Sequence, residues 1–374
     1  MSITKVTDAG LDKSRIVTPL IINGDMSVAQ RATSATDLGA SAGYNTCDRW
    51  KLEVEGSPSA RFTQTQSTDV PTGQGFTTSL KMDCTTAAGS PDADDALAIT
   101  YRIESQDLQL LKYGTSSAKK ITLSFWVNAT KTGTHAIWIY QNDDNRSQAQ
   151  TYTVNTTNTW EKKTVVFAAD TTGVIDNNNG EGFRINWWLT AGSNFTSGTL
   201  ATTWQSHTAA NNAVGQVNNA DSTSNNWYIT GVQMEIGEFD TNTIPDFPFE
   251  SFDSNQHKCQ RYFYKLGGVA NKYKRVGTCI TNPNNRNQTA GFHYLPNSMR
   301  AEPTVTIDGS SSGVYIGGEN SYSSFAGSME SANDSKNLSV LRFAGTLSGN
   351  AGNHCLENNL SYSGTGFMSA DAEL

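Results

Sequence analysis

Along most of the chain, apolar residues recur at every second position rather than at helical spacing. Leu97, Ile99, Tyr101 and Ile103 alternate with Ala98, Thr100, Arg102 and Glu104, and Ile121, Leu123, Phe125 and Val127 alternate with Thr122, Ser124, Trp126 and Asn128. A period of two places one set on the buried face of a sheet and the other on the opposite face. The same pattern predicts strands over His135 to Tyr140, Lys163 to Phe167, Phe183 to Leu189 and Trp227 to Ile236. Turn-forming clusters separate them, among them Asn142-Asp143-Asp144-Asn145 and Asp176-Asn177-Asn178-Asn179-Gly180. No amphipathic helix emerges; Ser105 to Tyr113 and Gln256 to Lys265 read as short helices or turns. Strands at roughly ten-residue spacing with turn signals predict a β-sandwich, and the length of the region suits a jelly roll.

The pattern breaks between Phe239 and Asn255, where Pro245 and Pro248 stand among aromatic and acidic residues. That composition reads as a stiff, extended connector. Beyond it, strands are predicted over Ala270 to Ile280, Thr289 to Leu295, Thr304 to Ile307, Gly313 to Ile316, Leu338 to Phe343 and near Phe367. The expected organisation is therefore all-β: a short polar lead over residues 1–18, a jelly-roll β-sandwich over 19–250, and a smaller C-terminal β-sandwich over 251–374. A length of 374 residues accommodates two domains. No internal repeat is present, which argues against a β-helix or propeller.

Composition sharpens this picture. Hydrophobic residues make up 36% and charged residues only 17%, the difference being filled by Asn, Thr, Ser and Gly, as in short strands joined by polar turns. The net charge is −8, and apart from Lys272, Lys274 and Arg275 no cations cluster, which excludes a nucleic-acid partner. The five cysteines (Cys47, Cys84, Cys259, Cys279 and Cys355) are odd in number and lack zinc or redox spacing, so they read as free, buried thiols. Met1 to Asp12 contain no apolar leader, and no apolar run is long enough to span a bilayer. The expectation is folding in a reducing cytosol, without membrane insertion.

Nothing in the sequence calls for catalysis, and no enzyme activity is expected. Gly309-Ser310-Ser311-Ser312-Gly313 matches a nucleophile elbow, but a strand-like Val314-Tyr315-Ile316 follows it where a helix is required. The five histidines are scattered. Asp92, Asp94 and Asp95, and Asp176, Asn178 and Gly180, read as solvated turns; the second group has Trp187 where a calcium loop needs a bidentate Glu. The aromatic residues are more informative. Trp138 and Tyr140 alternate with Ile137 and Ile139 and so point away from the face that buries the isoleucines, while adjacent Trp187 and Trp188 must face both ways. Flat rings stack on sugar faces, and amides and carboxylates bind hydroxyls. Trp138, Tyr140, Trp188 and Trp204 are the candidate glycan-binding residues. The alternative is that each tryptophan fills a core or a subunit interface.

Several segments carry a resemblance. Ile21-Ile22-Asn23-Gly24-Asp25-Met26-Ser27-Val28-Ala29-Gln30-Arg31, followed by Asp48-Arg49-Trp50, is similar to the opening of a domain found in bacteriophage fibre and tail-fibre proteins. Gly231 to Gly237 and Cys259 to Lys265 resemble its closing strand and exit segment. Pro296 to Val305 and Ser369 to Leu374 resemble parts of phage fibre tips. The resemblance covers nearly the whole chain, and implies a carbohydrate-binding-module-like jelly roll followed by a β-sandwich tip. It further implies a virion protein made in the bacterial host cytoplasm: a homotrimer that docks to other virion proteins through its N-terminal lead and binds host-surface polysaccharide. In such modules a structural calcium lies near the opening Asn-Gly-Asp and the closing strand, and the matching positions are Asn23, Asp25 and Glu235. A long anchoring region, usual in tail fibres, is not matched by the 18-residue lead. Two alternatives stand beside this reading: a purely structural virion component (a head fibre, capsid decoration or tail part) and a glycan depolymerase.

Overall fold

The computed structural model describes residues 19–267, 274–281, 288–307, 314–318, 321–331, 340–347, 358–362 and 367–374. The lead over residues 1–18 and the turn from Gly309 to Gly313 lie outside the described residues. Contacts divide the chain into two compact units, Met1–Asn255 and Gln256–Leu374.

In the first unit the strands are β1 Ser34–Leu38, β2 Gly43–Tyr44, β3 Trp50–Glu55, β4 Arg61–Ser67, β5 Ser79–Thr86, β6 Ala96–Glu104 and β7 Ile121–Ala129. They continue with β8 Gly133–Gln141, β9 Arg146–Val154, β10 Glu161–Phe167, β11 Glu181–Ala191, β12 Gln205–Ser206 and β13 Asn226–Ile236. Two antiparallel sheets result, ordered β1-β4-β5-β13-β7-β10 and β12-β9-β8-β11-β6-β3-β2. The alternation read in the sequence sets their inner faces: Leu97, Ile99, Tyr101 and Ile103 from one sheet, and Ile121, Leu123, Phe125 and Val127 from the other, join a single core. Trp187 ties the layers together. Its ring lies 5.5 Å from Trp50 in its own sheet and 6.0 Å, edge-on, from Phe125 in the facing sheet. Such aromatic contacts add directional preference to the area buried.

Residues 239–255, expected as an extended connector, pack onto this unit. Ile244 is buried, Phe247 and Phe249 lie 5.1 and 5.0 Å from Phe76, and Gln233 Nε2 donates to the Pro245 carbonyl at 2.8 Å. Ser105–Leu111 forms a 3-10 helix, as its sequence predicts. The other predicted turn resolves into a helix over Phe252–Cys259 and a strand beginning at Phe263.

The second unit is also all-β and antiparallel. Its strands are β14 Phe263–Gly267, β15 Lys274–Thr281, β16 Gln288–Tyr294, β17 Thr304–Ile307, β18 Val314–Gly318, β19 Ser321–Ser331, β20 Val340–Leu347, β21 Asn358–Tyr362 and β22 Phe367–Asp371. Where the sequence predicts a second sandwich, six of these strands close into a barrel, β15-β16-β20-β19-β18-β21, beside a three-stranded sheet, β14-β22-β17. Closure pairs every edge in the ring, and alternation alone does not distinguish it from two facing sheets. The three-stranded sheet unites the segments Cys259 to Lys265, Pro296 to Val305 and Ser369 to Leu374. Arg300 fastens them: its backbone N–H donates to the Arg261 carbonyl at 2.8 Å, and its guanidinium donates to the carbonyls of Ala372 at 2.8 Å and Glu373 at 3.2 Å.

One core group makes stability depend on pH. His135 is fully buried on β8, stacked 5.2 Å from Tyr152, with its Nε2 3.2 Å from the Lys131 carbonyl and its Nδ1 without a partner among the described residues. Burial pushes its pKa down from 6.5 to about 4. The unfolded chain therefore takes up this proton at a higher pH than the folded one, and stability present above pH 6.5 is lost as the pH falls towards 4. The expected loss from this group is roughly 3 kcal/mol. Urea unfolding of wild type and His135→Phe at pH 7.5, 5.5 and 4.5 checks this: the variant's slope over that interval should be shallower, and equal slopes would show that the imidazole does not titrate as described.

Candidate functional site

The outward face of the seven-stranded sheet is built from the alternate residues of four neighbouring strands. β3 contributes Lys51, Glu53 and Glu55; β6 contributes Ala96, Ala98, Thr100 and Arg102; β11 contributes Arg184, Asn186 and Trp188; β8 contributes Trp138 and Tyr140. Register sets them in rows: Glu53 pairs with Ala98 and Ala98 with Trp188, Asn186 pairs with Trp138, and Arg184 lies between Arg102 and Tyr140. Because β6 carries only alanine at positions 96 and 98, a trench runs between the glutamates of β3 and the tryptophans beyond. A cavity of about 250 Å³ opens there, lined by Glu53, Glu55, Trp138, Tyr140, Arg184, Asn186 and Trp188 and completed by Phe195, His207 and Asn212.

The last three residues belong to an irregular excursion after β11 that roofs one side of the trench. Gly192 begins it: its N–H donates to the Asp95 carbonyl at 2.7 Å, and a Cβ at this position would collide with the carbonyl of Asp92. The excursion is held by backbone bonds from Asn194 to Ala93, Ala213 to Phe195 and Val217 to Thr134, each 2.9 Å. The Gln216 side chain accepts from the Ala136 N–H at 2.6 Å. Phe195 rests 5.6 Å from Trp188, closing a small apolar cluster with Ala96, Ala98, Trp138 and Ala213.

Trp138 and Tyr140 lie two residues apart on one strand, with rings nearly parallel at 16° and 5.3 Å between centroids. His207 meets both, at 5.4 and 5.2 Å. Tyr140 stays partly open to solvent and its hydroxyl donates to Asn145 Oδ1 at 3.0 Å. Trp138 and Trp188 are only 5% and 3% exposed, yet among the described residues neither indole N–H has a hydrogen-bond partner, and nor does Oδ1 of buried Asn212. A buried polar atom without a partner costs about 1–3 kcal/mol. Two donors and an acceptor left in this condition on residues lining one cavity match a ligand that brings its own hydroxyls.

The charged groups beside the trench form a ladder. Lys51 and Arg102 both contact Glu53, at 3.1 and 2.8 Å, and Arg102 and Arg184 both contact Glu181, at 3.0 and 2.9 Å. The Arg184 guanidinium also lies 5.8 Å from the Tyr140 ring. Burial, and then the charge of Arg184, lower the pKa of His207, so its imidazole is neutral at pH 7. Burial raises the Tyr140 phenol above its usual value.

Of the four aromatic residues singled out in the sequence, Trp138, Tyr140 and Trp188 share the trench. Trp204 does not, and it is withdrawn as a ligand contact. It sits in the main core, 5.8 Å from Phe183 and 5.6 Å from Tyr113, and its Nε1 donates to the Ala168 carbonyl at 2.7 Å. It lies in irregular chain just before the two-residue strand β12, where alternation gives no facing. Arg184, Asn186, Glu53 and Glu55 went unremarked although they occupy the polar phase of recognisable strands. His207 and Asn212 come from irregular chain and carried no signal.

Asn23, Asp25 and Glu235, the positions matched to a structural calcium, line one small cavity with Asn255. Asn23 and Asp25 are engaged in hydrogen bonds. Asn23 Oδ1 accepts from the Val28 N–H at 2.9 Å, while its Nδ2 donates to the carbonyls of Val28 and Asp48, both at 2.9 Å. Asp25 Oδ1 accepts from Ser27 Oγ and from Asn255 Nδ2, both at 3.0 Å. Calcium requires about six to eight oxygen ligands, and among the described residues no three His, Cys, Asp or Glu side chains converge to hold a metal. Asn23 and the Oδ1 of Asp25 thus form a hydrogen-bonded clamp with Asn255. The two acidic turns are likewise hydrogen-bonded: Asp95 Oδ1 accepts from the Ser57 N–H at 2.9 Å and Asn178 Oδ1 from Gly180 at 2.7 Å.

No family model matches this chain, and no curated protein matches it. Among solved structures it is similar to a CBM4 structure, with 14% identity and a TM-score of 0.29 over 57% of this chain and 97% of the other. A family 11 carbohydrate-binding module from Clostridium thermocellum, in complex with a β-1,3-1,4-mixed-linked tetrasaccharide, gives 12% identity and 0.28 over 56% and 99%. The enzymatically active domain of tailspike protein 4 of bacteriophage CBA120 gives 13% identity and 0.29 over 58% of this chain, which spans only 21% of that one. At these scores the neighbours carry neither a family nor a ligand over to this chain.

Two outcomes are expected. Trp204→Ala should lower the unfolding free energy by roughly 3–5 kcal/mol, as for a core aromatic, whereas a ligand-contact role would leave urea stability near wild type. Dialysis against EDTA should leave the calorimetric melting temperature unchanged; a drop that added calcium reverses would show that the Asn23 cavity takes the ion after all.

Proposed function

We propose that this chain binds glycan in the trench of its first unit without cleaving it. The carrying observation is the stacked Trp138–Tyr140 pair beside three unpaired buried polar atoms, those of Trp138, Trp188 and Asn212. Aromatic faces take the apolar face of a sugar ring, and unpaired donors and acceptors take its hydroxyls. A cavity of about 250 Å³ lies below the roughly 300–1,000 Å³ of pockets for drug-sized ligands, which fits a short stretch of glycan. The carboxylates favour binding over hydrolysis. Glu53 and Glu55 stand two apart on one strand, so they share a wall, and Glu53 is already engaged by Lys51 and Arg102. A glycosidase sets its two carboxyl groups on either side of the scissile bond, roughly 5 Å or 6.5–9.5 Å apart.

In its fuller form the reading places this chain in a phage virion, as a tail fibre or short fibre that attaches to host-surface polysaccharide. The similarity of Ile21 to Arg31, Asp48 to Trp50 and Pro296 to Val305 to phage fibre segments supports it. As a homotrimer, the fibre would multiply one shallow site into useful avidity. The alternative remains a virion part with no receptor role.

Binding of labelled protein to host cells and to their purified polysaccharide tests the proposal. Wild type should bind both, and Tyr140→Ala, with its circular dichroism unchanged, should lose at least about tenfold in affinity, as expected for an aromatic anchor. Folded wild-type protein that binds neither would replace the receptor role with a structural one.

A further inference from the structure

This inference rests on the reading of the trench as a glycan site and concerns the class of glycan. Among the described residues, each cation beside the trench contacts a carboxylate. Lys51, Arg102 and Arg184 each lie within 2.8–3.1 Å of a carboxylate of Glu53 or Glu181. His207 is neutral at pH 7, because burial and Arg184 hold its pKa down. The roof adds no charge: from Gly192 to Ala220 there is no Asp, Glu, Lys or Arg. The remaining polar groups of the cavity include the amides of Asn142, Asn186 and Asn212, which suit hydroxyl and N-acetyl groups.

Glu55 is different. It lines the cavity, is exposed at the end of β3, and has no ion pair or hydrogen bond among the described residues. Lys51, Arg102 and Arg184 together match Glu53, Glu181 and Glu55 in number, but all three cations sit against Glu53 and Glu181, so Glu55 is the carboxylate of this set that no cation contacts. An anionic sugar entering beside Glu55 would meet like charge, and would have to share cations already held by Glu53 and Glu181. Like charges set together at an interface are strongly disfavoured, and such repulsion is a general means of rejecting wrong ligands.

We infer that the trench takes uncharged glycans and rejects those bearing carboxylate, sulfate or phosphate, with Glu55 as the residue that enforces the choice. The test uses matched oligosaccharide pairs, each a neutral oligosaccharide and the same molecule with one residue oxidised to a uronate. Affinities are measured by calorimetry at pH 7.5 in low salt for wild type, Glu55→Gln, Glu55→Lys and Tyr140→Ala. Wild type should favour the neutral member of a pair by at least about tenfold. That preference should shrink in Glu55→Gln and shrink further or reverse in Glu55→Lys. Added salt should weaken the discrimination, since the repulsion is screened.

Tighter binding of the uronate by wild type, lost in Tyr140→Ala, would overturn the inference while leaving the glycan site standing. So would a neutral preference that neither Glu55 variant alters, because it would have another source. Binding that Tyr140→Ala does not change, or no binding to any pair, would remove the trench as a glycan site and this inference with it. Circular dichroism on each variant separates misfolding from lost recognition. Because Glu55 is exposed, Glu55→Gln gives a folded reference should the charge reversal prove disruptive.

Discussion

Two adjacent residues on one strand, Trp187 and Trp188, fix the relation between the core of the first unit and its outer surface. A strand sends neighbouring side chains to opposite faces. Trp187 is fully buried between the sheets, wedged against Trp50 and Phe125, and it cannot shift without opening the core. Trp188 is thereby held on the other face, where it becomes one wall of the trench. The facing of Asn186 and Arg184 follows by the same alternation, and that of Trp138 and Tyr140 from their pairing with those residues. A slip of one residue would exchange the two tryptophans and put Arg184 in the core, so the apolar face that stabilises the fold also sets the order of groups in the site.

The outer face is unusual in being partly buried itself. Sheets of this kind commonly leave one face to water, but here alanines and tryptophans lie under the excursion that follows β11. Burial of that second face creates the unpaired indole N–H groups and the low-dielectric surroundings in which His207 stays neutral. It also explains why the ion-pair ladder matters locally. Single exposed ion pairs contribute little, but these four share partners across three strands and hold Arg184 beside Tyr140.

Strand positions and facing were legible where the chain alternates strongly. Leu97 to Ile103 and Ile121 to Val127 show it plainly, and Trp138, Tyr140 and Trp188 follow from the same rule. Two kinds of information were not local. Which outer face would be roofed depends on residues 192–217, whose Ser, Thr, Asn and Ala pattern has no period; this is why His207 and Asn212 were invisible and Trp204 was misplaced. Closure of the second unit into a barrel depends on long-range pairing, including that of Ser321–Ser331, whose small polar residues give no strand signal. At the opening segment the resemblance pointed to a cation, and the structure shows Asn23 and Asp25 holding amide and hydroxyl donors, contacts that no local pattern displays.

That opening clamp bears on how the protein is made. Asn23 N–H donates at 3.0 Å to Asn255 Oδ1, a partner 232 positions further along the chain, and Asn255 returns bonds to Asp25 and Ser27. A nascent chain emerges from the ribosome N-terminus first. The bonds of Asn23 to Val28 and Asp48 are available early, but the contacts of Asn23, Asp25 and Ser27 with Asn255 must wait until nearly the whole unit has been translated, and only then is the clamp complete. The first unit thus carries its own completion signal: a segment translated well before Asn255 is fully locked only once Asn255 arrives.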